Sequence, residues 1–283
     1  MEESINRFLK HLEQVQGSTN NTVLAYRSDL HQLDSLLAGK IKRPVAIEEL
    51  STDSIADYVD WLSHHAYRPT TVSRKMAAVR SFLNYVDIHE APVDPRVIDT
   101  LRTEPAPRKR PRVLAMEEVS QLLTAPIRSG SPRGVRDATL LSLLYATGLR
   151  AAEVVGLKVT DVDLQAGKIA RSSGRPPRIE LGAILELMRK YLEEARPHLA
   201  RATGETALFL NQRGKRLSRQ GLWLVVKRWA GNVGLGHDIS PLTLRHSLAD
   251  HLLGQGRSRK EVQQMLGLSS PSSIRVLSSQ PED

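Results

Sequence analysis

The sequence predicts a mainly α protein with a small β-sheet (α+β), folded as two domains. Three observations carry that expectation. Apolar residues recur at helical spacing over most of the chain, and short apolar segments bounded by glycine appear chiefly between 159 and 181. Between the two halves, residues 91–113 trade periodicity for prolines and basic residues. A chain of 283 residues is also longer than one small core usually organises.

The first helix is expected over 4–16, with Ile5, Phe8, Leu9 and Leu12 on one face. Ser18 or Thr19 can cap the next, whose face includes Val23, Tyr26, Leu30, Leu33 and Leu37. A third helix near 53–65 turns Ile55, Val59 and Leu62 inward, and a fourth from about Thr70 to Val86 does so with Val72, Met76, Val79 and Leu83. Four helices with short connections make a bundle over residues 1–90. Arg74 and Ser81 lie opposite the last stripe. Such an arginine meets phosphate or is simply solvated, and solvation is the commoner outcome for any single one.

Pro92, Pro95, Pro105, Pro107 and Pro111, with Arg108, Lys109, Arg110 and Arg112, mark 91–113 as an extended basic linker. It suits a protein that wraps a duplex and equally an ordinary solubilising hinge. The second domain, 114–283, begins with helices near 116–124 and 137–145. Short strands follow between Val159 and Leu181, turning near Gly167 and Gly174; then come a helix over 183–195 and a strand at Leu208–Leu210. Ser218 caps a helix with a buried stripe of Leu222, Val225, Val226 and Trp229. Its neighbouring face carries Arg219, Trp223 and Lys227, which fits a groove, unless Trp223 packs on its own domain. Ser258 and Glu261 form a capping box for a helix over 259–266, and Ser270-Pro271 restarts a last short one.

Net charge is +9, from 40 basic and 31 acidic residues, which predicts attraction to a polyanion, nucleic acid being the commonest. A soluble enzyme that happens to be basic is the bland alternative. No cysteine is present, which excludes disulfides, thiolate metal sites and thiol catalysis. The amphipathic start, MEESINRFLKHL, does not read as a signal peptide, and no apolar run approaches the ~20 residues that span a bilayer. A cytoplasmic, nucleoid-associated address is expected, with no membrane role, cofactor or metal.

Two segments share one design. Ala146–Leu157 reads ATGLRAAEVVGL, with Arg150 after a glycine-marked turn and Glu153 three residues on. Ile239–Leu253 reads ISPLTLRHSLADHLL, a proline-started helix bearing Arg245 and His246, then Leu248, Leu252 and Leu253. Together they resemble the paired arginine boxes of the tyrosine recombinase (phage integrase) family, its bacterial Xer-type members in particular, and the resemblance covers nearly the whole chain. It implies an N-terminal core-binding, SAM-like helical domain followed by a catalytic-type domain.

In that family a tyrosine hydroxyl attacks a DNA phosphodiester and stays attached until another strand replaces it. Two arginines neutralise the non-bridging oxygens. A hairpin lysine gives a proton to the departing oxygen, and histidines assist proton movement. Here the resemblance keeps both arginines, Arg150 and Arg245, with His246 beside the second. Ser173 holds the lysine position, in the run Ser172-Ser173-Gly174-Arg175-Pro176-Pro177-Arg178. Leu242 stands where the family has histidine, Leu268 where it has histidine or tryptophan, and Leu277 at the tyrosine position.

Leucine has no lone pair or ionisable proton, so Leu277 cannot attack phosphorus and Leu242 cannot move protons. Arg175 is a poor substitute acid, because a guanidinium holds its proton too tightly to give it up. Ser278 and Ser279 lack a nearby base, Tyr145 belongs to a core helix, and Tyr191 lies on a different helix from the nucleophile position. The expectation is double-stranded DNA binding without strand cleavage, in an architectural or regulatory role. Phosphate contacts would come from Arg74, Arg150, Arg175, Arg178, Arg219, Lys227, Arg245 and His246. The alternative is an active site-specific recombinase with an unusual nucleophile, or one completed in trans. Arg150 paired with Glu153, and Arg245 bracing its helix, are the structural alternatives for the two arginines. An active recombinase or another protein is a candidate partner. The chain ends six residues after Leu277, short of the family's terminal docking helix, which argues against a self-assembled tetramer.

Overall fold

The computed structural model describes residues 1–16, 18, 20–102, 111–170, 178–236 and 238–268. The chain divides into two compact units, Met1–Arg108 and Lys109–Asp283.

The first unit packs α1 (Glu2–Gln14), α2 (Asn20–Ile41), α3 (Thr52–His64) and α4 (Pro69–His89) around one core. The apolar spacing read from the sequence decides which faces turn inward. Ile5, Phe8, Leu9, Leu12, Leu30, Leu33, Ile55, Leu62, Met76, Val79 and Leu83 are all buried, as expected, while Val59 and Val72 are only partly so. Ser51 caps α3 by accepting from the Ser54 amide. The cap of α2 at Thr19 lies outside the described residues.

The stretch expected to be an extended linker is in part a helix. Asp94 caps α5 (Pro95–Asp99) by accepting the Arg96 amide, and Pro95 occupies the first helical position, where its missing N–H costs nothing. Val97 and Leu101 are buried in the first unit's core. The basic run at 108–110 lies outside the described residues.

In the second unit α6 (Met116–Thr124) and α7 (Pro132–Thr147) lead to α8 (Ala151–Gly156). A three-stranded antiparallel sheet follows, β1 (Val162–Asp163), β2 (Lys168–Ala170) and β3 (Arg178–Glu180), with Val162 opposite Ile169 and Ile169 opposite Ile179. Ile169 and Ile179 are buried between more exposed neighbours, as strand alternation requires. The β1–β2 turn uses Gly167 at φ +64, whereas the turn expected at Gly174 lies outside the described residues.

The helix expected over 183–195 is present as an unbroken run of helical turns, of changing hydrogen-bond pattern, that reaches Leu199. A 3-10 turn (Gly182–Ile184), α9 (Leu185–Lys190), a π turn (Tyr191–Ala195) and α10 (Arg196–Leu199) succeed one another. Leu208–Leu210 is buried but forms no strand; isolated bridges at Ala207 and Leu210 take its place. Then come α11 (Arg219–Asn232), α12 (Pro241–Gly254) and α13 (Arg259–Leu266), capped by Ser218, Ser240 and Ser258. On α11 the buried position falls to Ala230, while Trp229 is half-buried and donates from Nε1 to Asp137 at 2.9 Å. No described helix is long and apolar enough to cross a membrane.

Candidate nucleic-acid interface

The first arginine segment is set by the end of α7. Gly148 closes that helix in the left-handed region, φ +59, and its amide donates to Leu144 at 3.0 Å. A Cβ there would come within 2.3 Å of a Leu266 methyl and 3.0 Å of a Leu248 methyl, so glycine is required on both backbone and packing grounds. Two residues on, Arg150 caps α8, and its amide donates to Glu153 Oε2 at 2.7 Å. The buried Glu153 carboxylate therefore holds the backbone of Arg150. The guanidinium is exposed and has no hydrogen bond or ion pair with another described residue.

Arg245, on α12, has the opposite setting. It is 4 % exposed, donates from Nη2 to the Leu266 carbonyl at 2.9 Å, and bonds the Gly148 carbonyl through Nη1. It thereby ties α12 to the end of α7 and the end of α13. The bracing alternative describes these contacts, and Arg245 is not the bare, outward guanidinium expected of a phosphate contact. His246 beside it is buried, and its Nε2 has no partner among the described residues. Burial, and then the neighbouring Arg245 charge, push its pKa below the ordinary value.

Leu242, at the histidine position in the first turn of α12, is 54 % exposed and presents hydrocarbon to solvent. Leu268 is partly buried against Leu248, Ala249, Val262 and Leu266. Ser173, Arg175 and Leu277, with Ser278 and Ser279, lie outside the described residues. Neither tyrosine of the second unit stands ready to replace the nucleophile. Tyr191 is fully buried, donates to the Leu208 carbonyl at 2.8 Å, and is pushed up to about 12 by burial. Tyr145 is half-buried, its hydroxyl 2.8 Å from His251 Nδ1, and burial raises its pKa too.

Outside this centre, α11 carries its basic face to the surface. Trp223 is 44 % exposed and does not join the domain core, and Lys227 Nζ sits 4.8 Å from its ring centre. Arg219 is exposed one turn earlier. Arg178, on β3, is exposed 3.8 Å from Asp163. In the first unit Arg74 is not simply outward: its guanidinium pairs with the buried Asp29 carboxylate, which the helical spacing did not foretell.

Other arginines go where helical spacing does not foretell. Arg136 pairs with Asp137 and donates to the Leu210 carbonyl at 2.8 Å. Arg196 reaches the Glu205 and Ala207 carbonyls, each at 2.7 Å, and Arg216 those of Val155 and Gly156, at 2.8 and 2.9 Å. Part of the positive charge therefore closes orphan carbonyls inside the second unit. Among the described residues no group of three histidine or acidic side chains could hold a metal ion.

Residues 112–277 match the phage integrase family, and residues 5–87 match the phage integrase N-terminal SAM-like domain. The chain is 36% identical over 281 residues to a tyrosine recombinase XerC of Herpetosiphon aurantiacus, covering 98% of this chain and 90% of the other. It is 34% identical over 280 residues to a tyrosine recombinase XerD of Staphylococcus saprophyticus subsp. saprophyticus, covering 98% and 93%. The fold matches that of the XerH site-specific recombinase bound to palindromic difH substrate, with TM-score 0.67 and 21% identity over 97% of this chain and 90% of that one.

Proposed function

Because the chain belongs to the phage integrase family, as a Xer-type tyrosine recombinase, we propose that it binds duplex DNA without cutting it and acts in an architectural or regulatory role. The observation that carries this reading is the second arginine box. Arg245 is retained and buried as a brace, while three residues earlier the exposed Leu242 offers hydrocarbon where a proton carrier would be needed. Leu268 in an apolar cluster, and leucine at position 277, agree with it. So does serine at position 173, in place of the leaving-group acid.

Binding is supported by the +9 net charge, the exposed Arg150, and the Arg219–Trp223–Lys227 face of α11, which fits a major groove. A similar fold described on its own DNA substrate lends further support. Phosphate contacts lead, so affinity for a ~30-bp duplex should fall by orders of magnitude between about 50 and 200 mM salt. A flat response, or no binding in dilute buffer, overturns the reading. Nucleoid association in the cytoplasm goes with it.

The relatives' names favour a second reading, an active site-specific recombinase that uses an unusual nucleophile or is completed in trans by a partner. Its signature is a covalent protein–DNA adduct on this chain, formed alone or when an active recombinase is added.

A further inference from the structure

The first unit buries a charge cluster. Asp29, on α2, is 1 % exposed, and a carboxylate so placed is costly unless paired. Two cations from adjacent positions of α4 meet it: Lys75 Nζ donates to Oδ1 at 3.0 Å, and the Arg74 guanidinium bonds Oδ2. Lys75 is itself buried. It donates to Gln32 Oε1 at 2.6 Å and lies 5.1 Å from the Tyr67 ring centre, while Gln32 donates to the Tyr67 hydroxyl at 3.1 Å. Lys75 spends its donors inside. Arg74 differs: its side chain is 42 % exposed, and among the described residues Asp29 is its one partner.

One carboxylate faces two cations, so the cluster carries a net charge of +1, and only Arg74 presents it to solvent. We infer that Asp29 and Lys75 are a positioning pair for DNA binding: Asp29 fixes the Arg74 guanidinium at the surface of α4, and Lys75 offsets the carboxylate so that Arg74 keeps its attraction for a phosphate oxygen. The inference rests on the DNA-binding reading above. A guanidinium held by one edge offers its other donors to a phosphate in a fixed fork, with less freedom left to lose on binding. Without Lys75, Asp29 and Arg74 would form a closed, neutral pair.

The test is the slope of log affinity against log salt for a ~30-bp duplex, measured on wild type, Arg74→Met, Lys75→Met and Asp29→Asn with Lys75→Met. Circular dichroism confirms the fold of each. Arg74→Met should lower the slope by about one, the share of one phosphate contact. Lys75→Met should lower it equally, although Lys75 is enclosed and touches no ligand. Adding Asp29→Asn to Lys75→Met should restore the wild-type slope, because Arg74 is again uncompensated; a purely structural pair predicts no such rescue.

An unchanged slope in Lys75→Met overturns the inference and leaves the DNA-binding reading standing, as does an unchanged slope in Arg74→Met. A wild-type chain without salt-dependent affinity sinks both. Should Lys75→Met unfold, Lys75→Gln takes its place: a slope lowered by about one supports the pair and a wild-type slope refutes it.

Discussion

Arg150 and Arg245 come from the same kind of sequence box and end in opposite environments. Arg150 sits at the N-cap of α8 with an exposed guanidinium, its backbone held by Glu153. Arg245 is buried and holds the Gly148 and Leu266 carbonyls, which places its charge under the turn that presents Arg150. The contrast teaches that a motif names its arginine without saying whether the guanidinium is exposed or enclosed. One guanidinium here is exposed, while the other holds the carbonyls at the ends of α7 and α13.

The comparison predicts effects of different size and kind. Arg245→Ala should be the largest: it strips two buried carbonyls of a charged donor, costing about 3 kcal/mol. The melting temperature of the second unit should drop by roughly 6–12 °C, and a drop within error would end the bracing account. Gly148→Ala comes next. A left-handed alanine whose Cβ meets Leu266 should destabilise by about 2 kcal/mol, measured by denaturant unfolding; a neutral result would mean that the turn relaxes freely.

A smaller effect concerns pH. His246 has a folded pKa below its ordinary 6.5, so the unfolded chain takes up the proton first. Its stabilising contribution is complete above about 6.5 and is lost as pH falls through the folded value. His246→Leu should flatten that part of the stability–pH curve, and an unaltered curve contradicts a neutral, buried imidazole. Smallest in stability is Arg150→Ala, expected within ~0.5 kcal/mol because only solvent-exposed atoms are removed. Its effect should appear instead as a salt slope for duplex binding lowered by about one.

The helices were legible because burial follows spacing: Ile5, Phe8, Leu9 and Leu12 declare one face of α1, and Ser258 with Glu261 declares the start of α13. Pro95 after Asp94 is itself a helix-start signal, but the prolines around it read as a linker. Leu208–Leu210 has strand-like residues, and nothing local shows that only isolated bridges will meet it. The site was half legible. The boxes around Arg150 and Arg245 name their arginines, yet which carbonyl or carboxylate each one meets depends on contacts tens of residues away. Asp29 with Arg74 and Lys75, like Arg245 with Gly148, are pairings of that kind.

The proposed function is DNA gripping by a chain with leucine and serine at the family's cutting positions. Its most direct test is a nicked suicide duplex incubated with the protein at concentrations that shift it fully, then resolved under denaturing conditions. The account predicts that every DNA strand is recovered free of protein; a covalent adduct to this chain alone would contradict it.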